Sequence, residues 1–436
     1  MTKRYHNHMK FSSLKRRQVE ANFEGGEITS DGGILLLREL DHKLGLTKAI
    51  DRAIVDPRHP SYCRHSQLTL LRQRIFGLAL GYEDLNDHTH LRQDGAVQTA
   101  AGQLAELGSA STLCRMENRT TKVSAVALHN VLVEQFIGSY AKPPKKLVLD
   151  FDATHDFVHG EQQGRYFNAY YDGYCFLPLY VFCGKHLLAS YLRPSSRGAA
   201  YHAGAVLKLL VSRLRSVWPK VKIVFRADAG FCTPLILSWC DRHSVDYVVG
   251  ISKNAVLTEK SFSTRYLSEQ LYQLKQENQK HFSEFHYQAR SWQHTRRVVV
   301  KAEYNASGEN TRYVVTSLSD DAEKLYCKIY CYRGDMENCI KEQKALFSDR
   351  TSCHEWWPNQ FRVLLCGFAY VLMEALRRIA LKDTDMENCQ VDTLRLKLFK
   401  IGGVIIRNTR RIRILLSSSY PYQATFTHAL SAINSS

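Results

Sequence analysis

The 436-residue chain lacks several features that mark specialised classes of protein. Proline is sparse at 10 residues, about half its usual share, which argues against long disordered linkers. The longest apolar run lies between Arg362 and Glu374 and is shorter than the ~18 residues that a membrane span requires. No apolar stretch follows the basic residues near the N-terminus, so we expect no secretory signal. These absences predict a soluble cytoplasmic protein with no membrane partner.

Sequence motifs for redox, metal-binding and nucleotide-binding loops are also missing. The twelve cysteines contain no Cys-x-x-Cys pair and are spread from Cys63 to Cys389, so reduced thiols are expected. Neither a dinucleotide-binding glycine motif nor a P-loop occurs, so no nucleotide cofactor is expected. The acidic and histidine residues of segment 83–90 are of metal-binding types, but a solvated helix and turn is the simpler interpretation.

Positive charge is in excess. Lys and Arg total 59 against 42 for Asp and Glu, which gives a formal net charge of +17 and predicts a polyanionic partner. The charge is clustered in an N-terminal arm that runs from Lys3 to Arg17, and in segment 405–414, where Arg and Ile interleave. That interleaving predicts a strand with one basic face, a track for DNA phosphates. A helix predicted near Ser111 could also face DNA and carries Arg115. The candidate DNA-binding residues of the arm, this helix and segment 405–414 are Arg16, Arg17, Arg115, Arg410 and Arg411.

Periodicity along the chain predicts helical and α/β parts. A proline pair at 143–144 follows a mainly helical region, and the next hundred residues show three strands, a helix, a strand, a helix and a strand. That order is typical of a ribonuclease-H-like sheet. A strand-rich segment then precedes two more helices and a basic tail. The predicted divisions are 1–140 (helical, DNA-binding and dimerisation), 141–254 (first part of the core), 255–325 (β insertion), 326–380 (second part of the core) and 381–436 (basic tail).

Three acidic residues fall where such a sheet would bring them together. Asp152 ends the first strand, Asp228 ends the strand predicted to lie beside it, and Glu337 lies on a helix that can pack over the sheet. Clustered carboxylates repel one another unless a cation neutralises them, and oxygen ligands of this kind suit Mg²⁺ or Mn²⁺. Two such ions ~3.5–4 Å apart can act on a phosphodiester. Asp150 is on the same strand face as Asp152. It is therefore an alternative metal ligand, or a residue that contacts a metal ligand.

The surroundings of Glu337 support its selection. The spacing Tyr-x2-Arg-x3-Glu-x6-Lys puts four residues near one stripe of a helix, namely Tyr330, Arg333, Glu337 and Lys344. Cations on such a stripe can hold DNA phosphates against the carboxylates. The pentapeptide at 335–339, Asp-Met-Glu-Asn-Cys, recurs at 385–389 without the flanking Tyr, Arg and Lys. We therefore prefer Glu337 to Glu387.

This four-residue spacing matches the Y-R-E-K motif of bacterial DDE transposases. The segments Asp152-Ala153-Thr154 and 226–231 resemble the first and second aspartate motifs of one group of these enzymes, insertion sequence family 1380. The run Thr-Ser-Asp-Gly-Gly at 29–33, followed by leucines, is similar to the N-terminal motif of that group. The resemblance extends from about residue 25 to about residue 420.

The resemblance implies a ribonuclease-H-like catalytic core with a β-rich insertion, preceded by an α-helical DNA-binding region. It implies that Asp152, Asp228 and Glu337 bind two Mg²⁺ or Mn²⁺ ions per active site. Tyr330, Arg333 and Lys344 would grip the terminal phosphate and nearby backbone of the DNA. The expected partners are double-stranded DNA, as terminal inverted repeats and target, and a second copy of the chain in a homodimer. The expected location is the nucleoid in the bacterial cytoplasm.

Two other functions stay open at the level of sequence. The segment 147–154 resembles the nucleophile loop of haloacid-dehalogenase-type phosphatases, with Asp150 as nucleophile and Asp152 as acid and base. That function requires a further acidic pair, and none follows Asp228. The second is a catalytically inactive, transposase-derived DNA-binding protein. Metal-dependent cleavage of DNA distinguishes the transposase from the inactive protein, and phosphatase activity that is lost in Asp150→Asn but kept in Glu337→Gln would favour the phosphatase.

Overall fold

The computed structural model describes residues 9–435, so residues 3–8 of the predicted basic arm lie outside the described part. Contacts between residues divide the chain into two compact units. The first comprises the residues up to Arg119 and those from Leu372 onward, and the second comprises Thr120–Val371. The boundary between the units thus precedes the proline pair at 143–144. Residues 120–142, which lie before that pair, belong to the second unit.

The first unit begins with short strands and six helices. The strands are β1 (Met9–Leu14), β2 (Arg17–Ala21) and β3 (Glu27–Thr29). The helices are α1 (Ile34–Leu44), α2 (Leu46–Ala53), α3 (Gln67–Leu80), α4 (His88–Leu91), α5 (Gly95–Ala101) and α6 (Ala110–Asn118). Helix α3 begins after Ser66, because the Ser66 hydroxyl accepts a hydrogen bond from the amide of Thr69 and so caps the first turn.

The second unit alternates strands and helices. Its first half contains α7 (Lys122–Gly138), β4 (Lys146–Ala153), β5 (Asp156–Phe157), β6 (Tyr166–Asn168), β7 (Gly173–Phe176), β8 (Leu179–Cys183), β9 (His186–Tyr191), α8 (Ala203–Val217), β10 (Lys222–Ala227), α9 (Pro234–Arg242) and β11 (Asp246–Ile251). It continues with α10 (Ala255–Lys260), α11 (Phe262–Lys275), β12 (Gln279–Tyr287), β13 (Arg296–Asn305), β14 (Gly308–Thr316), α12 (Ala322–Lys324), α13 (Gly334–Ala345) and α14 (Trp356–Ala375).

An eight-stranded mixed sheet organises the second unit. Its order is β12-β13-β14-β11-β10-β4-β8-β9, with β4, β10 and β11 mutually parallel and β8 antiparallel to β4. The part β9-β8-β4-β10-β11 is the ribonuclease-H-like arrangement that the strand order predicted. The central strands are buried on both faces, which their near-continuous apolar sequence dictates. The strands of the predicted insertion pair with β11 through β14 and continue the same sheet.

The last segment returns to the first unit. It contains α15 (Val391–Leu394), β15 (Gly403–Arg407), β16 (Ile412–Leu416) and α16 (Gln423–Ser435). The prediction of one basic-faced strand over 405–414 was wrong, because β15 and β16 form a hairpin that β3 extends. Arg410 and Arg411 lie exposed at the turn, where both amides bind the Asn408 side chain. Arg407 is not available to phosphate, since it pairs with Glu27.

The Thr-Ser-Asp-Gly-Gly motif has a structural role within the first unit. The buried Asp31 carboxylate accepts hydrogen bonds from Lys400 Nζ at 2.6 Å and from the Tyr82 hydroxyl at 2.7 Å. A Cβ atom on Gly33 would lie 1.8 Å from the Leu398 carbonyl oxygen. The motif therefore joins the start of α1 to residues 398–401, and its glycine is required by close backbone approach.

The other predicted DNA-binding arginines of this unit lie on its surface. Arg16 and Arg17 are exposed in the β1–β2 hairpin. Glu117 anchors helix α6 to α3, because its buried carboxylate accepts a hydrogen bond from Arg74 Nε of α3 at 2.9 Å. Arg115, on the same helix, is exposed. Their exposure meets the first requirement for contact with a phosphate backbone.

His88 is a buried neutral base in this unit. Burial, with a smaller contribution from nearby Arg74, lowers the pKa of His88 to about 3. Gln73 Nε2 lies 3.2 Å from its Nδ1, and its Nε2 has no hydrogen-bond partner among residues 9–435. The five acidic and histidine residues of segment 83–90 thus do not converge on a metal ion. Within residues 9–435, no three His, Cys, Asp or Glu side chains form a ready ligand set.

The His88 pKa predicts how stability depends on pH. Between pH 6.5 and about 3, His88 is protonated in the unfolded chain and neutral in the folded chain. The free energy of unfolding should therefore fall as the pH falls. The expected contribution is about 1.4 kcal/mol per pH unit. Urea unfolding at several pH values, for the wild type and for His88→Gln, measures it as the difference in slope. The exposed His90 supplies the control, and an equal slope change in His90→Gln would contradict the assignment.

Two further predictions concern the cysteines and membrane-spanning segments. All twelve cysteines, which lie within the described residues, are free thiols. None of the helices in the described part of the chain has the length and apolar content needed to span a membrane.

Candidate active site

The two predicted aspartates lie at the carboxyl ends of neighbouring parallel strands. Strand β4 pairs with β10 in the register Asp150 to Arg226 and Phe151 to Ala227, so the next residue of each strand is Asp152 or Asp228. Asp152 Oδ1 accepts from the amide of Ala153 and Asp228 Oδ1 from that of Gly230, each at 2.9 Å. The sheet therefore fixes both backbones and presents both carboxylates at one edge.

An irregular helical segment brings the third carboxylate to this edge. Between α12 and α13 the chain forms a wide π-helical turn over Leu325–Tyr330 and a tight turn over Cys331–Arg333. Arg333 donates to Asp152 Oδ2 at 3.3 Å through Nη1 and to Glu337 Oε1 at 3.1 Å through Nη2. One guanidinium thus bridges two of the predicted metal ligands. Such irregular turns are common at functional sites.

Electrostatics tie Asp228 to the same cluster. Burial raises the pKa of Asp152 to about 6, Arg333 opposes this rise, and the negative charges of Asp228 and Glu337 add to it. The three carboxylates, far apart in sequence, therefore lie within electrostatic reach of one another. They are not arranged as a preformed ligand set among the described residues, because Arg333 lies between two of them. Their oxygen donors still match the chemistry of a hard divalent cation.

Tyr330 and Lys344 also face this edge. The Tyr330 hydroxyl lies 2.7 Å from the position that a Cβ atom on Gly250 of β11 would take, and the amide of Ala229 lies 2.9 Å from it. Gly250 therefore makes room for both the tyrosine and the turn that carries Asp228. Sequence reasoning missed this glycine, which in the sequence is only one residue of an apolar strand. Lys344 Nζ donates to the carbonyl oxygen of His155 at 2.8 Å.

The structure gives Asp150 a different partner from a metal ion. Arg226 Nη2 donates to Asp150 Oδ2 at 2.7 Å, and Nε donates to the other oxygen. Arg226 Nη1 donates to the carbonyl oxygen of Ile329. The buried pair thus links β4 and β10 to the turn that carries Tyr330. Sequence reasoning did not assign Arg226 a role, although a charged residue in an apolar strand, two positions before the terminal aspartate, was a usable signal.

Comparison with known proteins decides the family. Residues 11–436 match the family model described as transposase DDE domain group 1. The chain belongs to this family. It is a DDE transposase, an enzyme that binds, cleaves and joins DNA, and the family uses divalent metal ions. No curated protein matches its sequence. The cryo-EM structure of a piggyBac transposase synaptic complex with hairpin DNA is similar at 11% identity and a TM-score of 0.44, covering 85% of this chain and 79% of that chain.

The contacts of Asp150 argue against the phosphatase alternative. A nucleophilic Asp150 would need a carboxylate oxygen free to attack a phosphoester. Both of its oxygens accept from Arg226, and the residue is only 3% exposed.

Proposed function

We propose that Asp152, Asp228 and Glu337 are the metal-binding carboxylates of the transposase and that Mg²⁺ or Mn²⁺, two ions per site, is the cofactor. The observation that carries this proposal is the bridge from Arg333 to Asp152 and Glu337, beside Asp228. The Arg333 guanidinium contacts two of the three carboxylates, and an opposite charge of this kind favours their ionised forms, as a divalent cation would. When bound, the ions would activate the attacking water or hydroxyl and stabilise the leaving oxygen of the phosphodiester.

The residues of this site then have separate tasks. Strands β4 and β10 hold the backbones of Asp152 and Asp228 in place, so two of the three carboxylates are positioned before the DNA arrives. Arg333 contacts two of the carboxylates, and its two donors fit a phosphate as well as they fit carboxylates. Lys344 is fixed at the carbonyl oxygen of His155 and supplies a second positive charge for the backbone of the DNA. Tyr330 supports the turn that holds Asp228.

Sequence-independent DNA contact is assigned to the first unit. The exposed set there comprises Arg16, Arg17, Arg115, Arg410 and Arg411. We propose that these arginines bind the phosphate backbone of the element ends and that two copies of the chain bind a pair of ends. Charge-reversing Arg410 and Arg411 should weaken binding similarly for all DNA sequences and reduce its salt dependence.

Cleavage of DNA that carries the element ends tests the proposed function. The probe is labelled DNA from the sequence that borders the gene on each side, incubated with the full chain and Mg²⁺. We expect cuts at the ends that require the divalent ion, and binding without cleavage by Asp228→Asn. Cleavage by Asp228→Asn at the wild-type rate would overturn the assignment, and binding without any cleavage by the wild type would favour the inactive alternative.

Replacing Arg333 should expose the electrostatic cost of the carboxylate cluster. In Arg333→Gln, Asp152 and Glu337 lose the cation that bridges them, so the metal-free protein should melt at a lower temperature. Added Mn²⁺ should raise the melting temperature of this variant more than that of the wild type, because the ion supplies the missing positive charge. Thermal melting with and without Mn²⁺ measures both effects.

Arg242→Gln is the matched control for that prediction. Arg242 is an exposed arginine of the same unit that donates only to the carbonyl of Ser238 in its own helix. Its Mn²⁺ response should equal that of the wild type. If Mn²⁺ raised the melting temperature of neither Arg333→Gln nor the wild type, the carboxylates would not share an ion.

A further inference from the structure

Exposed aromatic side chains lie directly beside the carboxylate cluster. They belong to the segment 155–176, which leaves the main sheet after β4 and forms the small sheet β5-β7-β6. We define the aromatic surface as His155, Phe157, Tyr170 and Tyr171. Phe157 is 44% exposed and Tyr170 is 88% exposed. The rings of Phe157 and Tyr170 face solvent, and exposed rings grouped in this way suggest a binding surface.

The rings of this surface contact one another. The His155 ring lies 4.3 Å from that of Tyr171 and 4.7 Å from that of Phe157, measured between ring centroids. Tyr170 meets Tyr171 edge to face at 4.8 Å. The four rings therefore form one continuous group, with Tyr170 as its most exposed member.

The turn that carries the two tyrosines is held in place. Asn168 Oδ1 accepts from the amide of Tyr170 at 3.0 Å, and Asn168 Nδ2 donates to the carbonyl oxygen of Ser195 at 3.1 Å. The amide of Tyr171 also bonds the carbonyl of Asn168. Tyr170 is thus presented to solvent by an anchored turn, so its exposure is a built feature of the fold.

Continuity with the carboxylate cluster selects the partner. His155 follows Asp152 by three residues, and its carbonyl oxygen is the group that holds Lys344. The negative charges of Asp152 and Asp228 contribute to raising the pKa of Tyr171, after burial and two nearer groups. A DNA strand whose phosphate lies at the carboxylates therefore has its neighbouring nucleotides within reach of these rings.

We propose that the aromatic surface stacks unpaired bases of the DNA strand next to the phosphate that is cut. Paired bases in a duplex have their faces covered by their neighbours, whereas an unpaired base offers a face to an aromatic ring. Lysine and arginine near the carboxylates attract the backbone, and the rings take up the bases. The inference rests on the proposed function, because it takes the carboxylates to be the place where the DNA backbone is cut.

The test compares paired with unpaired DNA under conditions that prevent cleavage. The probes are a short blunt duplex and the same duplex with a single-stranded thymidine overhang, titrated against full-length Asp228→Asn without divalent ions. Adding Tyr170→Ala should weaken binding of the overhang DNA about 5- to 150-fold, which corresponds to one stacked base, and leave the blunt duplex unchanged. Tyr170→Phe should retain the overhang affinity, because stacking needs the ring and not the hydroxyl.

Tyr266→Ala, also in the Asp228→Asn chain, is the matched control. Tyr266 is 52% exposed and stacks on Phe262 at 5.8 Å in α11, away from the carboxylates. It should change neither affinity. An equal loss on both DNA probes in Tyr170→Ala, or no loss on either, would overturn the proposal. A change of oligomeric state in gel filtration without a change in overhang affinity would assign the surface to a second copy of the chain and would also overturn it.

Failure of this inference is distinguishable from failure of the proposed function. Stacking is measured without divalent ions, and cleavage is measured with Mg²⁺ in the wild type. Overhang preference without any cleavage would contradict the catalytic assignment alone. Cleavage with no overhang preference would contradict the aromatic surface alone.

Discussion

Glu337→Gln should lower the rate of DNA strand cleavage by roughly 1000-fold or more while leaving DNA binding nearly intact. The amide keeps the shape of the side chain but removes the charge that a divalent ion would bind, and metal-ion stabilisation of the transition state is worth several kcal/mol. Glu337 is half exposed on α13, so the substitution should not affect folding. The cleavage rate is measured on labelled ends under single-turnover conditions, and DNA binding is measured separately. The two measurements distinguish a loss of catalysis from a loss of binding.

The repeated pentapeptide provides a control within the same chain. Glu387 has the same five-residue surroundings in sequence, but it lies in the first unit and accepts a hydrogen bond from the amide of Asp383. Glu387→Gln should cleave at the wild-type rate. Equal loss in Glu337→Gln and Glu387→Gln would mean that the three-dimensional position of Glu337 has no special role in cleavage.

Arg226→Ala should destabilise the second unit by about 3–5 kcal/mol and abolish cleavage. The substitution leaves the Asp150 carboxylate buried without its partner, which is the costly way to break a buried ion pair. It also removes the donor to the Ile329 carbonyl, which helps to place the turn that carries Tyr330 and Arg333. Urea unfolding measures the first effect, and cleavage at a temperature where the variant is folded measures the second.

Two further variants separate these effects. Arg213 and Glu134 form an exposed pair with two donors on two oxygens, and Arg213→Ala should cost at most about 1 kcal/mol. The double variant Arg226→Met with Asp150→Leu should recover much of the stability, since apolar replacement of a buried pair is often neutral. If the double variant also recovered cleavage, Arg226 would have no part in positioning the turn.

Sequence reasoning was effective where a residue's role depends on local pattern. The strand order of the core followed from periodicity, because periodicity is set by neighbours in the chain. The selection of Glu337 over Glu387 also used local spacing, and it stays a prediction until cleavage is measured. The error over 405–414 arose because interleaved Arg and Ile fit one strand as well as a hairpin, and only the pairing of β15 with β16 shows that the chain turns between them.

The sequence by itself determined the basic charge, the core strand order and the set of three carboxylates worth testing. Only the tertiary structure decided that Asp150 pairs with Arg226, that Arg333 bridges Asp152 and Glu337, and that rings at 155–171 lie beside them. The physical reason is that the longest of these contacts, from Arg333 to Asp152, joins residues 181 positions apart in the sequence. Packing of the sheet against the irregular turn sets such distances, and no local pattern records them.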